Sequence, residues 1–172
     1  MKLIPLSERG KNKGKYFTMV DDEDFDFLMQ WRWMVNKNVK DDNKYALRSA
    51  SVFEKKLGMT YVSIHQLLIG KPKNGFVIDH IDGNGLNNQK LNLRHANMKQ
   101  NMWNLKKRKG ANGRTTTSIY KGVSLRMSWR ATITANGKKH HLGDFSNEGD
   151  AARAYDKAAK KFHGEFANIN FK

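Results

Sequence analysis

Apolar positions along the chain come in short groups whose period changes several times. Residues 2–6 predict a short strand, followed by a basic, glycine-containing loop over 10–15 and an apolar, aromatic stretch over 16–20. Asp21 stands where it can cap a helix, and Asp21-Asp22-Glu23-Asp24 puts four acids in a first turn, where the helix dipole favours negative charge. Phe25, Leu28, Met29, Trp31 and Trp33 then recur at roughly helical spacing. Tyr45-Ala46-Leu47-Arg48 predicts a strand after a turn at Asp41-Asp42-Asn43. Residues 61–70 predict a short buried helix stopped by Gly70 and Pro72, with His65 as a packed or orienting side chain among Ile64, Leu67, Leu68 and Ile69. Phe76–His80 reads as a strand, Asp82-Gly83-Asn84-Gly85 as its turn, and 91–94 as a strand returning antiparallel. Asn97 begins a helix, with Gln100 placed for a capping box.

The C-terminal third has a different texture. Residues 120–126, 128–135 and 138–145 predict three strands, and Asn136-Gly137 is a strong hairpin signal. Alternation puts Trp129, Ala131, Ile133 and Ala135 on one face and Arg130, Thr132 and Thr134 on the other, so one face is core and the other polar. Residues 147–164 predict a helix whose stripe of Ala151, Ala152, Ala154, Tyr155, Ala158, Ala159 and Phe162 lets it sit close against the sheet. The tail 166–171 adds an edge strand or covers the core. The fold class is α+β, with a domain over 1–102, a linker over 103–119 and a second domain over 120–172.

Charge narrows the partner. The 172 residues carry a net charge of +16. Lys and Arg exceed Asp and Glu by 6, 5 and 5 in the first domain, the linker and the second domain, so the excess is spread along the chain. A surface basic in every segment suits a protein that follows a phosphate backbone, which makes nucleic acid the expected partner. The linker, with Lys106, Lys107 and Arg108 ahead of Gly, Asn and a Thr-Thr-Thr-Ser run, is expected to lie along DNA. The chain has no cysteine, which excludes disulfides and zinc ribbons, so any metal is held by oxygen and imidazole. No apolar run approaches a membrane span and the first ten residues lack a signal-peptide core, so a cytoplasmic protein without membrane contact is expected.

The chemistry concentrates in 77–101. Hydrolysis of a phosphodiester needs an activated water, a cation facing the developing charge, and a stabilised leaving 3′ oxygen. Asp79 and Asn101 are hard oxygen donors suited to Mg²⁺ or Mn²⁺, and His80, with an ordinary pKa near neutrality, is the natural base. A hairpin followed by a helix is expected to bring Asp79, His80 and Asn101 together.

Asp79-His80-Ile81-Asp82-Gly83-Asn84, Asn87-Asn88, Asn92-Leu93-Arg94 and Asn101 resemble the HNH endonuclease family, in particular the phage and intron homing endonucleases that begin with Asp-His and end on Asn. The resemblance implies a ββα-metal fold, with Asp79 and Asn101 as metal ligands, His80 as general base, and Asn92 bracing the loop and orienting the histidine. His65-Gln66-Leu67-Leu68 is similar to a helix that often precedes this motif, with Gln66 in place of the usual Arg. The segment around Ile4-Pro5-Leu6, Val20 to Phe25 and Trp31-Arg32-Trp33 is similar to one preceding the motif in phage-encoded members. Residues 120–171, through Tyr120-Lys121-Gly122-Val123, Trp129-Arg130-Ala131, Leu142-Gly143-Asp144-Phe145 and Ala167-Asn168-Ile169-Asn170-Phe171, resemble the Apetala2 or ethylene-response-factor DNA-binding domain. That resemblance implies a sheet laid in the major groove. The matching exposed positions are Lys121, Ser124, Arg126, Arg130, Thr132, Thr134, Lys139 and His141, with fewer Arg and Trp than the plant pattern, so the plant target does not carry over. Arg126 and Arg130 are the candidates for bidentate guanine contacts, and Trp129 is expected under the helix.

The expectation is therefore a site-directed, homing-type DNA endonuclease acting on double-stranded DNA as a monomer or weak dimer. A monomer with one such centre nicks. The competing expectation is a non-catalytic DNA-binding regulator built on the C-terminal sheet, which requires none of Asp79, His80 and Asn101. RNA is a weaker third, because a major-groove sheet suits B-form DNA.

Overall fold

A computed structural model describes residues 1–7, 13–36, 44–107 and 116–171. The turn expected at Asp41-Asp42-Asn43, residues 10–12 of the first loop, and Arg108 with most of the linker lie outside the described residues. The chain divides into two compact units, Met1–Met98 and Lys99–Lys172. Both mix helices with small antiparallel sheets. Among the described residues no helix is long and apolar enough to cross a membrane.

The first unit opens on a hairpin of β1 (Lys2–Leu6) and β2 (Tyr16–Val20), paired from Lys2 opposite Val20 to Leu6 opposite Tyr16. Alternation turns Ile4, Leu6, Thr18 and Val20 inward. Ile4, Leu6 and Val20 form the core with Leu28 of α1 (Asp22–Leu28), Trp33, Val35 of β3 (Met34–Val35), Ala46 of β4 (Ala46–Ser49) and Ile64. The strands β3, β4 and β5 (Tyr61–Ser63) make a second sheet. Between β4 and β5 lies α2 (Val52–Lys56), which apolar periodicity does not announce because none of its residues is buried. Its start is a capping box, with Ser51 accepting from Glu54 N and Glu54 accepting from Ser51 N. Glu54 also takes both terminal nitrogens of the buried Arg48 at 2.8 Å, which holds its carboxyl down at about 2. Helix α3 (Ile64–Ile69) follows β5 directly and ends at Gly70, where the sequence places its stop.

The hairpin carrying the 77–101 motif forms with its returning strand two residues later than the sequence places it. Strand β6 (Phe76–His80) pairs with β7 (Leu93–Asn97), Asp79 opposite Arg94. The returning strand begins later than 91, since Lys90–Asn92 is a 3-10 turn. The connection over 81–92 is consequently no tight turn. It folds on its own short polar side chains: Asp82 accepts from Asn84 N, Asn84 from Leu86 N, and Asn87 from Gln89 N. Helix α4 (Met98–Asn104) follows β7 without a break, where the sequence predicts a helix after Asn97.

In the second unit β8 (Val123–Leu125), β9 (Trp129–Ala135) and β10 (Lys138–Phe145) form a three-stranded sheet in the order β10-β9-β8. Asn136 and Gly137 both adopt positive φ, +51° and +75°, as a two-residue hairpin turn requires. Ala131, Ile133 and Ala135 are buried beneath α5 (Glu148–His163), whose Ala151, Ala152, Tyr155, Ala158 and Ala159 meet them. Trp129 packs against the same core. Gly122 lets Tyr155 in: a Cβ there would lie 1.9 Å from its ring. Phe162, expected in the stripe, is instead half-exposed and stacks on His140.

The tail covers the core and adds no strand. Ala167 and Ile169 pack on it, and the buried Asp156 carboxylate accepts from Asn170 N, Asn170 Nδ2 and Phe171 N at 2.8 to 2.9 Å. Asn170 in turn bonds both backbone groups of Lys121. The Asp156→Ala variant strands three donors, and we expect it to lower the stability of this unit by about 2–4 kcal/mol, measured as a reduced urea midpoint.

Candidate active site and nucleic-acid interface

Asp79 and His80 end β6, and both are buried. Directly across the ladder, Arg94 places Nε and a terminal nitrogen each 2.9 Å from Asp79 Oδ2. The His80 ring is held on several sides. His65 meets it edge-on at 5.4 Å between centroids, and Tyr45 lies 5.7 Å from both imidazoles. His80 Nε2 faces Asn88 Oδ1 at 3.4 Å. Asn88 is completely buried and donates its amide to Thr18 Oγ1 at 2.7 Å, so its oxygen is the end turned to the imidazole. An acceptor there favours the proton on Nε2. Burial lowers the His80 pKa against the opposing pull of Asn88 and of the Asp82 and Asp79 charges, so the ring stays neutral below its ordinary range. His65 is pushed down to about 4 by burial and by the adjacent His80. Burial, with the Asp79 charge, raises Tyr45.

Asn92 braces the loop. Its amide donates to Asp82 Oδ1 (3.0 Å) and Asn87 O (2.8 Å), and its oxygen accepts from Asp82 N (3.1 Å). Burial opposes the Asp82 charge, but bonds from Asn87, the Asn84 amide and Asn92 overcome this and hold its carboxyl below the usual range. Asn92 makes its bonds to Asp82 and Asn87, and Asn88 is the amide that meets the histidine.

The N-terminal segment holds this loop from outside. Met19 exchanges backbone bonds with Leu86 and Asn88, and Thr18 Oγ1 donates to Leu86 O. Asp21, expected to cap α1, makes no side-chain cap; its carboxylate accepts from Gln89 Nε2 and Lys90 N. Lys90 Nζ pairs with Glu23 and Asp24. The acid cluster at the start of α1 thus grips the loop 68 or so residues away, a link that local pattern does not reveal. Asn88, Thr18 and Arg94 are the site residues that the pattern missed; the Asn-Asn pair and the Asn-Leu-Arg triplet are the signals that contain two of them.

Asp79 and His80 are successive residues at the end of β6. Asn101 lies on α4 and belongs to the second unit. No three His, Cys, Asp or Glu side chains are grouped to cage a metal among the described residues. The donor chemistry at Asp79 fits a hard divalent cation that keeps most of its shell as water, and the imidazole beside it is neutral.

The second unit presents the polar sheet face. Ser124, Arg126, Arg130, Thr132, Lys139 and His141 line one shallow depression of about 270 Å³, and the exposed Thr134 continues the β9 row. Arg130 is not free there: Asp144 takes its Nε at 2.7 Å and a terminal nitrogen at 3.0 Å, and also lies 3.2 Å from His141 Nε2. The Arg130 bond holds the Asp144 carboxyl below its usual range. Two expected backbone contacts are corrected. Lys121 turns inward, donating to Trp103 O and Leu105 O at 2.6 Å, and burial brings its ammonium down to about 8. Lys107 donates to Tyr120 O at 2.7 Å and Val123 O at 3.3 Å. Both donate to carbonyls of their own unit. Lys106 is exposed, and Arg108 lies outside the described residues.

Protein 3.8 of Escherichia phage T7 is 37% identical to this chain over 112 residues, 63% of the chain and 88% of that protein. The chain belongs to the family of that phage protein. The "Uncharacterized HNH endonuclease L560" of Acanthamoeba polyphaga mimivirus is 36% identical to this chain over 110 residues, and the AP2-like ethylene-responsive transcription factor TOE2 of Arabidopsis thaliana is 44% identical over 61 residues. The first match covers 62% of this chain and 54% of the mimivirus protein, the second 34% and 13% respectively. The chain is thus homologous to an HNH endonuclease and, over a shorter stretch, to Apetala2-type factors. No family model matches it, and no solved structure does.

Burial sets a pH dependence. His65 has a folded pKa near 4 against an unfolded value near 6.5, so protons favour the unfolded chain in between. Its contribution is complete above pH 6.5 and is lost as pH falls toward 4. We expect the urea midpoint of the wild type to drop across that window and the drop to shrink in His65→Phe.

Proposed function

We propose that this protein is a DNA endonuclease of the HNH type that hydrolyses a phosphodiester at a chosen site. The observation that carries the reading is His80, buried beside Asp79 with its Nε2 facing Asn88 Oδ1. Homology to an HNH endonuclease supports it, and homology to Apetala2-type factors supports double-stranded DNA as the partner. In this reading the hairpin and the following α4 make a ββα-metal arrangement, with Asp79 and Asn101 as oxygen donors to one Mg²⁺ or Mn²⁺ ion. When bound, such an ion supplies positive charge facing the phosphate as negative charge develops.

The residues of the chain do the rest. His80 Nδ1 takes the proton of the attacking water, while Asn88 holds Nε2 as a donor and so keeps the ring in the tautomer that can accept. Arg94 holds the Asp79 carboxylate in place from across the ladder. Asn92 keeps the loop in the shape that presents Asn88. A monomer with one such centre nicks, as a homing-type enzyme that needs a partner copy for a double-strand break.

The sheet face selects the site. Arg126 is exposed and available for a bidentate guanine contact, whereas Arg130 must first leave Asp144 or read DNA in its company. Supercoiled plasmid and Mg²⁺ test the cutting: we expect conversion to open circle, and at least about 100-fold slower conversion by His80→Ala. Equal conversion by both proteins overturns the reading, and tight, metal-independent binding without cutting establishes the regulator instead. At the interface, Arg126→Ala is expected to weaken site binding by roughly 1–3 kcal/mol. Asp144→Asn removes a negative charge from the face and is expected to tighten non-specific binding, measured by fluorescence anisotropy at low salt.

A further inference from the structure

Helix α4 ends in the second unit with its last carbonyls satisfied by side chains from just before β8 and from the tail. Lys121 Nζ, from the start of the strands, meets Trp103 O and Leu105 O, each at 2.6 Å. Asn168, from the tail, donates to Asn104 O at 2.7 Å. Lys107, just past the helix, returns to Tyr120 O. The C-terminal carbonyls of a helix lack partners within it, and a cation there is favoured by the dipole, so these contacts stop the helix and fasten it at once.

A flat aromatic contact adds to them. The Trp103 and His163 rings stack at 4.4 Å with 8° between their planes, and His163 Nε2 donates to Thr134 O at 3.1 Å. Thr134 stands in the exposed row of β9 with Arg130 and Thr132. A continuous chain of contacts therefore joins the backbone of the candidate reading strand to the helix: Thr134, His163, Trp103. Two lysines of a strongly basic chain are spent inward on this fastening, when either would serve phosphate binding if it faced out. Binding alone gives no reason for that arrangement.

We propose that Lys121, Trp103 and His163 form a clasp through which the DNA-reading sheet positions α4, and with it Asn101, so that site binding sets the geometry for cutting. The role of Asn101 rests on the nuclease reading; the clasp itself lies wholly within the second unit. Lys121, Trp103 and His163 are positioning residues, since none is placed on substrate. Docking of the sheet on DNA restricts β9, and the clasp passes that restriction to α4.

The test uses the full chain, as wild type, Lys121→Met and Lys121→Arg, with duplexes selected on the wild type from a random pool in EDTA. Three quantities are measured: affinity in EDTA, single-turnover cutting at saturating duplex in Mg²⁺, and hydrogen exchange of the α4 amides with and without duplex. We expect Lys121→Met to bind within about two-fold of wild type, because its ammonium does not face the polar surface. It should cut at least ten-fold more slowly once bound and lose the duplex-induced protection of α4, and Lys121→Arg, which donates to both carbonyls, should restore both. Cutting at the wild-type rate from saturated complex, or α4 protection unchanged in Lys121→Met, overturns the clasp. Ten-fold weaker binding by a folded Lys121→Met overturns it too, since Lys121 would then be a DNA contact. A wild type that cuts nothing in Mg²⁺ or Mn²⁺ defeats the nuclease reading, and the exchange measurement then decides the clasp alone: protection of α4 that depends on Lys121 sustains it, and its absence removes it.

Discussion

One buried amide organises the candidate active site. Asn88 has no exposed surface, donates one amide hydrogen to Thr18 and turns its oxygen to His80. A buried amide without partners is costly, and this side chain is met by the Thr18 hydroxyl at one end and the His80 imidazole at the other. The N-terminal hairpin, which contributes no residue to the expected chemistry, supplies the hydroxyl that decides the orientation. Its other bonds, from Met19, Asp21, Glu23 and Asp24 to the loop over 86–90, keep Asn88 in place.

The two units solve different physical problems. The first packs a small apolar core beneath a polar site, and it stabilises that site with short-range bonds among Asp and Asn side chains that need no large core. The second packs a helix rich in alanine against three strands, which leaves the opposite face wholly polar and open. On that face an acid sits among the bases. Asp144 sequesters Arg130, so the guanidinium is held in one geometry before any partner arrives, at the cost of a negative charge facing a polyanion.

Local pattern carried part of this. The alternation about Trp129 to Ala135, the Asn136-Gly137 turn and the alanine stripe of α5 were legible because each feature depends on neighbours within a few residues. Asp79 and His80 were legible as a polar pair at the end of an apolar run. The turn at Asp82 to Gly85 and a returning strand near 91 are legible, but the strand starts at Leu93 because Lys90–Asn92 closes the loop as a 3-10 turn, which composition does not signal. Helix α2 was missed because its signal lies in the Ser51 and Glu54 cap and not in burial. The grip of Asp21 on Lys90 joins residues far apart in the chain, and the inward turn of Lys121 and Lys107 depends on carbonyls left open at the end of α4. Neither is a property of a window.

The central claim is that a single neutral imidazole drives site-directed hydrolysis of DNA. The most direct measurement is to sequence the ends that the full chain leaves in genomic DNA with Mg²⁺. Attack of water on phosphorus with departure of the 3′ oxygen predicts recurrent breaks at one sequence, each with a 5′-phosphate and a 3′-hydroxyl. Ends scattered without a common sequence, ends of the opposite polarity, or no ends above those of a protein-free control would contradict the account.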